Sequence, residues 1–191
     1  MPTKFQIAAL RWRRFGNRAG NAALGRHEVG VLRILRCANV ERMSDAIGWL
    51  MRHIGPWLPE HRTGRANLAA AFPDKSADEI ERILDGVWDN LGRVAVEFAH
   101  LDRLWDHDPD RPHLGRIELT PGTKERFFQM RDDGKPALIF AAHLANWEMP
   151  ALAAARHGVD TAILYRRPNI GDIDRFVREV RTVSMGTLIS T

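Results

Sequence analysis

Ala137–Glu148, ALIFAAHLANWE, is the stretch on which the reading of this chain turns. Ala137–Ala142 is a short apolar run preceded by Asp132-Asp133-Gly134-Lys135-Pro136, a turn signal. Its length and flanks predict a buried-type strand over Ala137–Ala142. A helix from about Asn146 to His157 follows, closed by Gly158 at the C′ position, with Pro150 tolerated in the first turn. Val159–Tyr165 reads as a second strand, so a strand–helix–strand unit is expected, parallel and right-handed.

Upstream of that unit the pattern is helical. Val29–Ile54 reads as a helix in two sections, the second carrying Met43, Ala46, Ile47, Leu50, Met51 and Ile54 at helical spacing. Gly55-Pro56 stops it, Pro59–Gly64 reads as a turn, and the run to Phe72 as a short helix closed by Pro73. Ser76-Ala77-Asp78-Glu79 is a capping-box pattern. Behind it Ile80, Ile83, Leu84, Val87, Leu91, Val94, Ala95 and Phe98 form one stripe, widened by Trp88, and the helix should run to Leu101–Trp105. Ile117–Leu119 is a candidate strand, and Phe127, Phe128 and Met130 mark another helix. Ile173, Phe176, Val177 and Val180 mark the last amphipathic piece. Helices followed by alternating strands and helices give an α/β class: a helical N-terminal part, then strand–helix–strand units of a partly parallel sheet.

Composition narrows the partners. The 191 residues carry a net charge of +4, but residues 1–62 hold about +7 of charge by count and the remainder about −3. Residues 1–28 combine arginines with Phe5, Ile7, Leu10, Trp12 and Phe15, which suits either a membrane-interfacial segment or a solvated terminus. Residues 29–191 form the second division, a single domain in size. Cys37 is the only cysteine, so neither an intrachain disulfide nor a multi-thiolate zinc site can form. No apolar run of about 18 residues encodes a membrane span, and no secretory signal pattern is present. A nucleic-acid role is disfavoured, since no binding motif accompanies the basic excess. Phosphate loops of the Walker type and G-x-S-x-G elbows are absent. His100, His107 and His113 near Asp102, Asp106, Asp108 and Asp110 read as a polar loop rather than a metal site, because their spacing is uneven.

The chemistry concentrates at the strand ends, where ligands gather in open α/β sheets. His143 sits at the end of the first strand and Tyr165-Arg166-Arg167 at the end of the second. A histidine can take a proton from a hydroxyl near neutral pH. Glu148, on the first turn of the next helix, is placed to accept the other ring N–H and stabilise the imidazolium. Arg166 and Arg167 suit a phosphate or carboxylate. The set fits transfer of an acyl group to a hydroxyl, although His-x4-Glu alone is not a specific spacing, and a structural histidine fits it too.

Taken in order, the segments resemble the late acyltransferases of lipid A biosynthesis (lauroyl/myristoyl type), within the lysophospholipid acyltransferase superfamily. Arg65-Ala66-Asn67-Leu68 with Phe72-Pro73 resembles the family's R-x-N-L…FP segment, and Ser76–Trp88 its next helix. Glu97 sits where a glutamate commonly occurs. HLANWE, His143–Glu148, matches the His-x4-Glu/Asp motif, and Tyr165-Arg166-Arg167-Pro168-Asn169 resembles the Y/F-R-P-x-N element. Arg181 with Met185-Gly186 resembles the R…G element. The likeness covers residues 29–191.

The resemblance implies that His143 deprotonates a hydroxyl of a lipid A precursor and Glu148 orients it. The oxygen then attacks the thioester of an acyl–acyl carrier protein. Arg166 is the implied headgroup or phosphate contact, with Arg167, Arg181 and Asn146 as further substrate-binding candidates. No metal or organic cofactor is implied beyond the phosphopantetheine of the donor. The implied location is the cytoplasmic face of a bacterial inner membrane, attached peripherally, because residues 1–54 are too charged to serve as the family's usual anchor. Family members continue past the point where this sequence stops. The resemblance therefore implies the N-terminal part of an acyltransferase, with an incomplete sheet and an unpaired edge. A different lipid acceptor, such as a phosphatidylinositol mannoside, and a non-catalytic membrane-associated remnant are the alternative readings.

Overall fold

The computed structural model of the chain describes residues 25–27, 29–107, 111, 114–168 and 171–190. The basic segment read over residues 1–28 therefore lies outside the described residues, except for 25–27. So do Asp108, Asp110, His113 and Asn169.

Residues 29–35 are helical (α1) and α2 spans Val40–Ile54, which gives the two sections expected of Val29–Ile54. Asn39 separates them: its backbone is extended and its side chain accepts the Arg42 N–H at 3.0 Å, capping α2. Gly55-Pro56 ends α2 in a 3₁₀ turn over Gly55–Trp57.

The turn read at Pro59–Gly64 is instead the start of α3, Pro59–Ala71. Pro59 falls in the first turn, where its fixed φ favours a helix and its missing N–H costs nothing. Packing then overrides Gly64. A Cβ there would lie 2.9 Å from Leu84 Cδ2, so the glycine marks a close approach to the next helix. His61 is buried in the same contact. It accepts the Trp88 indole N–H on Nδ1 at 3.1 Å, which leaves Nε2 to donate to Glu81 at 3.1 Å.

The next helix, α4 (Ala77–Ala99), opens with the capping box read from the sequence. Ser76 Oγ accepts the Glu79 N–H and Glu79 Oε2 accepts the Ser76 N–H. Its buried residues are an i, i+4 row of Ile80, Leu84, Trp88, Gly92 and Val96, with Val94 and Ala99 beside it; Ile80, Leu84, Trp88 and Val94 are those the expected stripe named. Val87 and Leu91 are exposed. The helix also stops earlier than expected. His100 leaves helical geometry (φ −114°, ψ 11°), and α5, Leu101–Leu104, is a separate short turn.

Two strand readings are corrected. Ile117–Leu119 and Ala137–Ala142 have no regular secondary structure and form no ladder among the described residues. An apolar run becomes a strand only when another backbone supplies its hydrogen bonds. Leu138, Ile139 and Phe140 are all exposed, so neither face of the segment is covered. The parallel unit lies one step later. β1 is Ala162–Tyr165, shorter than the Val159–Tyr165 expected, and β2 is Thr187–Ser190. They pair in parallel with Ala162 opposite Thr187 and Tyr165 opposite Ser190. The crossover is α8, Gly171–Ser184. Gly186, at φ 86°, closes against Thr161, whose carbonyl would lie 2.6 Å from any Cβ.

The helix after HLANWE, α7, spans Met149–Arg156, and Gly158 closes it at φ 72°. α6, Thr123–Asp132, carries Phe127, Phe128 and Met130 as expected. The main core joins Val29, Leu101, Leu104, Leu152, Phe176, Val180 and Met185, drawing on α1, α5, α7 and α8. Leu101 and Leu152 are fully buried, each contributing roughly 1.5–3 kcal/mol of transfer free energy. This core seats α7 and α8, and so brings the candidate site together.

Candidate active site

His143 lies in an exposed turn that follows the apolar run, with the Leu144 N–H bonded to the Ala142 carbonyl at 2.9 Å. Its ring packs on Trp147, centroids 4.5 Å apart and planes at 55°. The imidazole is therefore open to an incoming ligand on its remaining sides.

Two residues of α4 hold the turn from below. Asn90 Nδ2 donates to the Leu144 carbonyl at 2.9 Å, and Glu97 Oε2 accepts from Asn146 Nδ2 at 2.8 Å. Asn146 Oδ1 in turn accepts the Glu148 N–H at 3.2 Å. An Asn side chain that binds the backbone two residues on sets the turn by itself, and here it leads directly into α7.

Glu148 is only 3% exposed. Its carboxylate is gripped by Arg181 of α8 through two hydrogen bonds, Nε to Oε2 at 3.1 Å and Nη2 to Oε1. The Arg181 guanidinium also lies over the rings of Phe98 and Tyr165, at 5.8 and 5.6 Å. A buried carboxylate needs such a partner, because an unpaired ion in this setting is strongly unfavourable. No hydrogen bond joins His143 to Glu148 among the described residues.

The second arginine pair divides. Arg167 Nε donates to Asp174 at 2.9 Å, and Asp174 also accepts from the Tyr165 hydroxyl at 3.3 Å. Arg166 is exposed and makes no ion pair among the described residues. Of the candidates read from the sequence, the fold thus unites Glu148 with Arg181, and Asn146 with the Glu148 backbone. His143 stands apart on Trp147, and Arg166 meets no described carboxylate. A cleft of about 420 Å³ borders the same helix, with Glu97 and Met149 in its wall beside Glu41, Asp45, Arg93 and Ile117.

The sequence profile of the bacterial lipid A biosynthesis acyltransferases matches residues 4–191. The chain belongs to this family. No curated protein and no solved structure matches the chain. The protein is accordingly an acyltransferase of lipid A biosynthesis, α/β with a helical N-terminal part, and its family points to a lipid A-type acceptor.

Asn90 escaped the sequence reading, and Glu97 entered it only as a family position. The signal for them is their spacing: seven residues apart on the helix that follows the capping box, both polar, on one side of an apolar stripe. Among the described residues no His, Cys, Asp and Glu side chains converge as a metal site. No helix of the described residues is long and apolar enough to cross a membrane.

Proposed function

We propose that this acyltransferase moves a fatty acyl group from acyl–acyl carrier protein to a hydroxyl of a lipid A precursor, with His143 as the base. The carrying observation is the folded form of HLANWE. It holds an exposed histidine, open to an incoming hydroxyl, five residues before a buried carboxylate paired with Arg181.

In this reading a ring nitrogen of His143 takes the hydroxyl proton as the oxygen forms its bond to the thioester carbonyl carbon. Collapse of the tetrahedral adduct breaks the C–S bond, and the imidazolium returns the proton to the departing thiolate. Glu148 is the carboxylate assigned to the second ring N–H. Its present partner is Arg181, so that bond forms only when the exposed His143 side chain swings toward it while the turn stays in place. Arg166 is the assigned contact for an acceptor phosphate, because it has no described carboxylate to leave. Arg167 shares its charge with Asp174 and is the weaker contact; Arg181 is occupied by Glu148. The acceptor is a lipid, which supports a peripheral position on the cytoplasmic face of a bacterial inner membrane, with the basic N-terminal segment on anionic headgroups.

The test is acyl transfer from an acyl-thioester of carrier protein to a phosphorylated glucosamine lipid in anionic vesicles. His143→Ala should lower the rate roughly 10²- to 10⁴-fold with unchanged melting. An undiminished rate would remove His143 from the chemistry. Flotation of the same vesicles tests the membrane placement; equal recovery with neutral vesicles would remove it.

A further inference from the structure

We propose that Asn90 and Glu97 are positioning residues for the His143–Glu148 turn, and that Asn146 is the part through which Glu97 acts rather than a substrate ligand. The inference rests on the acyl-transfer reading above and deepens it.

The geometry starts from α4. Residues seven apart on an α-helix lie about 20° from the same face and about 10.5 Å apart along the axis. Asn90 and Glu97 therefore form two polar posts on one rigid element. The first post meets the Leu144 carbonyl, just after His143, and the second meets Asn146, just before Glu148. The turn between them has little apolar anchorage, since the side chains of His143, Leu144 and Ala145 are exposed. Its position is therefore set by these hydrogen bonds and by the Trp147 contact.

The second post also fixes a direction. A carboxylate only accepts hydrogen bonds, so Glu97 obliges Asn146 to present its NH₂. The Asn146 oxygen is then turned toward the Glu148 N–H, 3.2 Å away. Rotating the amide by half a turn would break both contacts at once. Glu97 thus determines which end of Asn146 meets the backbone of Glu148, and so how the first turn of α7 begins. The Glu148 carboxylate continues the chain into Arg181, anchored over Phe98 one residue beyond Glu97 on α4. Both ends of the motif are thereby tied to the same helix. Displacement of a reacting group by about 1 Å costs on the order of 10²-fold in rate, so this attachment governs turnover without touching substrate.

Reversing the polarity of the second post tests the idea on the full chain. Asn146→Asp sets a carboxylate against Glu97. We expect kcat to fall roughly 10- to 100-fold, with the KM for acyl–acyl carrier protein unchanged and amide exchange faster over residues 144–149. Adding Glu97→Gln restores a donor and an acceptor in reversed order. The new amide on α4 donates to the new carboxylate in the turn, whose second oxygen still accepts the Glu148 N–H. The double variant should regain most of kcat and of the exchange protection, a recovery that general loss of stability would not give. Asn90→Ala should speed exchange at Leu144 and Ala145 alone.

A double variant no better than Asn146→Asp, or an Asn146→Asp protein with unaltered exchange and kcat, would overturn the proposal. Exchange needs no turnover. If His143→Ala stays fully active while the exchange pattern reverses as described, the base assignment fails and the positioning role stands.

Discussion

The α2–α4 crossing and the Ala137–Glu148 segment are built on opposite terms. At the crossing, backbones meet directly. A Cβ on Gly92 would lie 2.7 Å from the Ile47 carbonyl oxygen, and one on Gly48 would lie 3.1 Å from the Asp89 carbonyl oxygen and 2.7 Å from its Oδ1. Arg93 braces the same interface with Asp89 at 2.8 Å and Asp45 at 2.7 Å. In the segment, by contrast, Leu138, Phe140 and Leu144 are more than 80% exposed, and a handful of polar contacts fix its end. The crossing is held by its own packing; the segment that carries the proposed base is held from outside. What passes between them is α4, whose one side packs on α2 while Asn90 and Glu97 reach the turn.

The largest expected effect lies where the segment enters the core. Arg181→Met leaves the Glu148 carboxylate buried without a partner, which should cost about 3–5 kcal/mol of stability. Chemical denaturation measures it. Replacing both, Arg181→Met with Glu148→Gln, removes the stranded charge and should recover most of that loss. A double variant as unstable as the single would show that Arg181 stabilises through its stacking on Phe98 and Tyr165 instead.

How much of this was readable follows the same division. Signals carried by local sequence came through: the Ser76–Glu79 capping box, the Gly158 stop and the amphipathic pattern that became α8. Pro59 was misread because its charged neighbours look like a turn until Gly64 and His61 are seen against α4. Val87 and Leu91 fit the helical stripe as well as Leu84 does, and only the placement of α2 and α3 decides which are covered. At the site, residue types suggested His143, Glu148 and the arginines as candidates. They did not disclose that Arg181 serves Glu148, or that Asn146 has both ends occupied, since those are pairings 33 and 49 residues apart. The Ala137–Ala142 reading shows the limit most clearly: apolar composition expresses a demand for cover, and the partner that meets it is not written in the same six residues.

A smaller effect tests the crossing itself. Gly92→Ala forces a methyl group into the α2 backbone at Ile47, and backbone cannot move aside as a side-chain tip would. The gain in helix propensity is under about 1 kcal/mol. It should be outweighed, for a net loss of about 1–3 kcal/mol of the kind seen for overpacked sites. Gly64→Ala is the internal control, because there the neighbour is only Leu84 Cδ2 and can rotate. Equal losses at the two positions would mean that the helices separate freely, and the crossing would lose its standing as the rigid reference.

The smallest effect is expected at the most apolar part of the segment. Phe140 is 92% exposed, so replacing it by serine removes almost no contact from the folded chain. Stability should stay within about 0.5 kcal/mol of the parent, as for surface changes generally. The comparison with Gly92→Ala is then direct: adding one methyl to the crossing costs more than deleting an aromatic ring from the segment. A loss above about 1 kcal/mol for Phe140→Ser, twice the usual surface range, would show that the ring is covered in solution, and the segment would have to be redrawn as packed structure. No change, together with a measurable loss for Gly92→Ala, fixes the order: the Phe140 ring adds nothing to holding the fold, and the helix crossing behind it does.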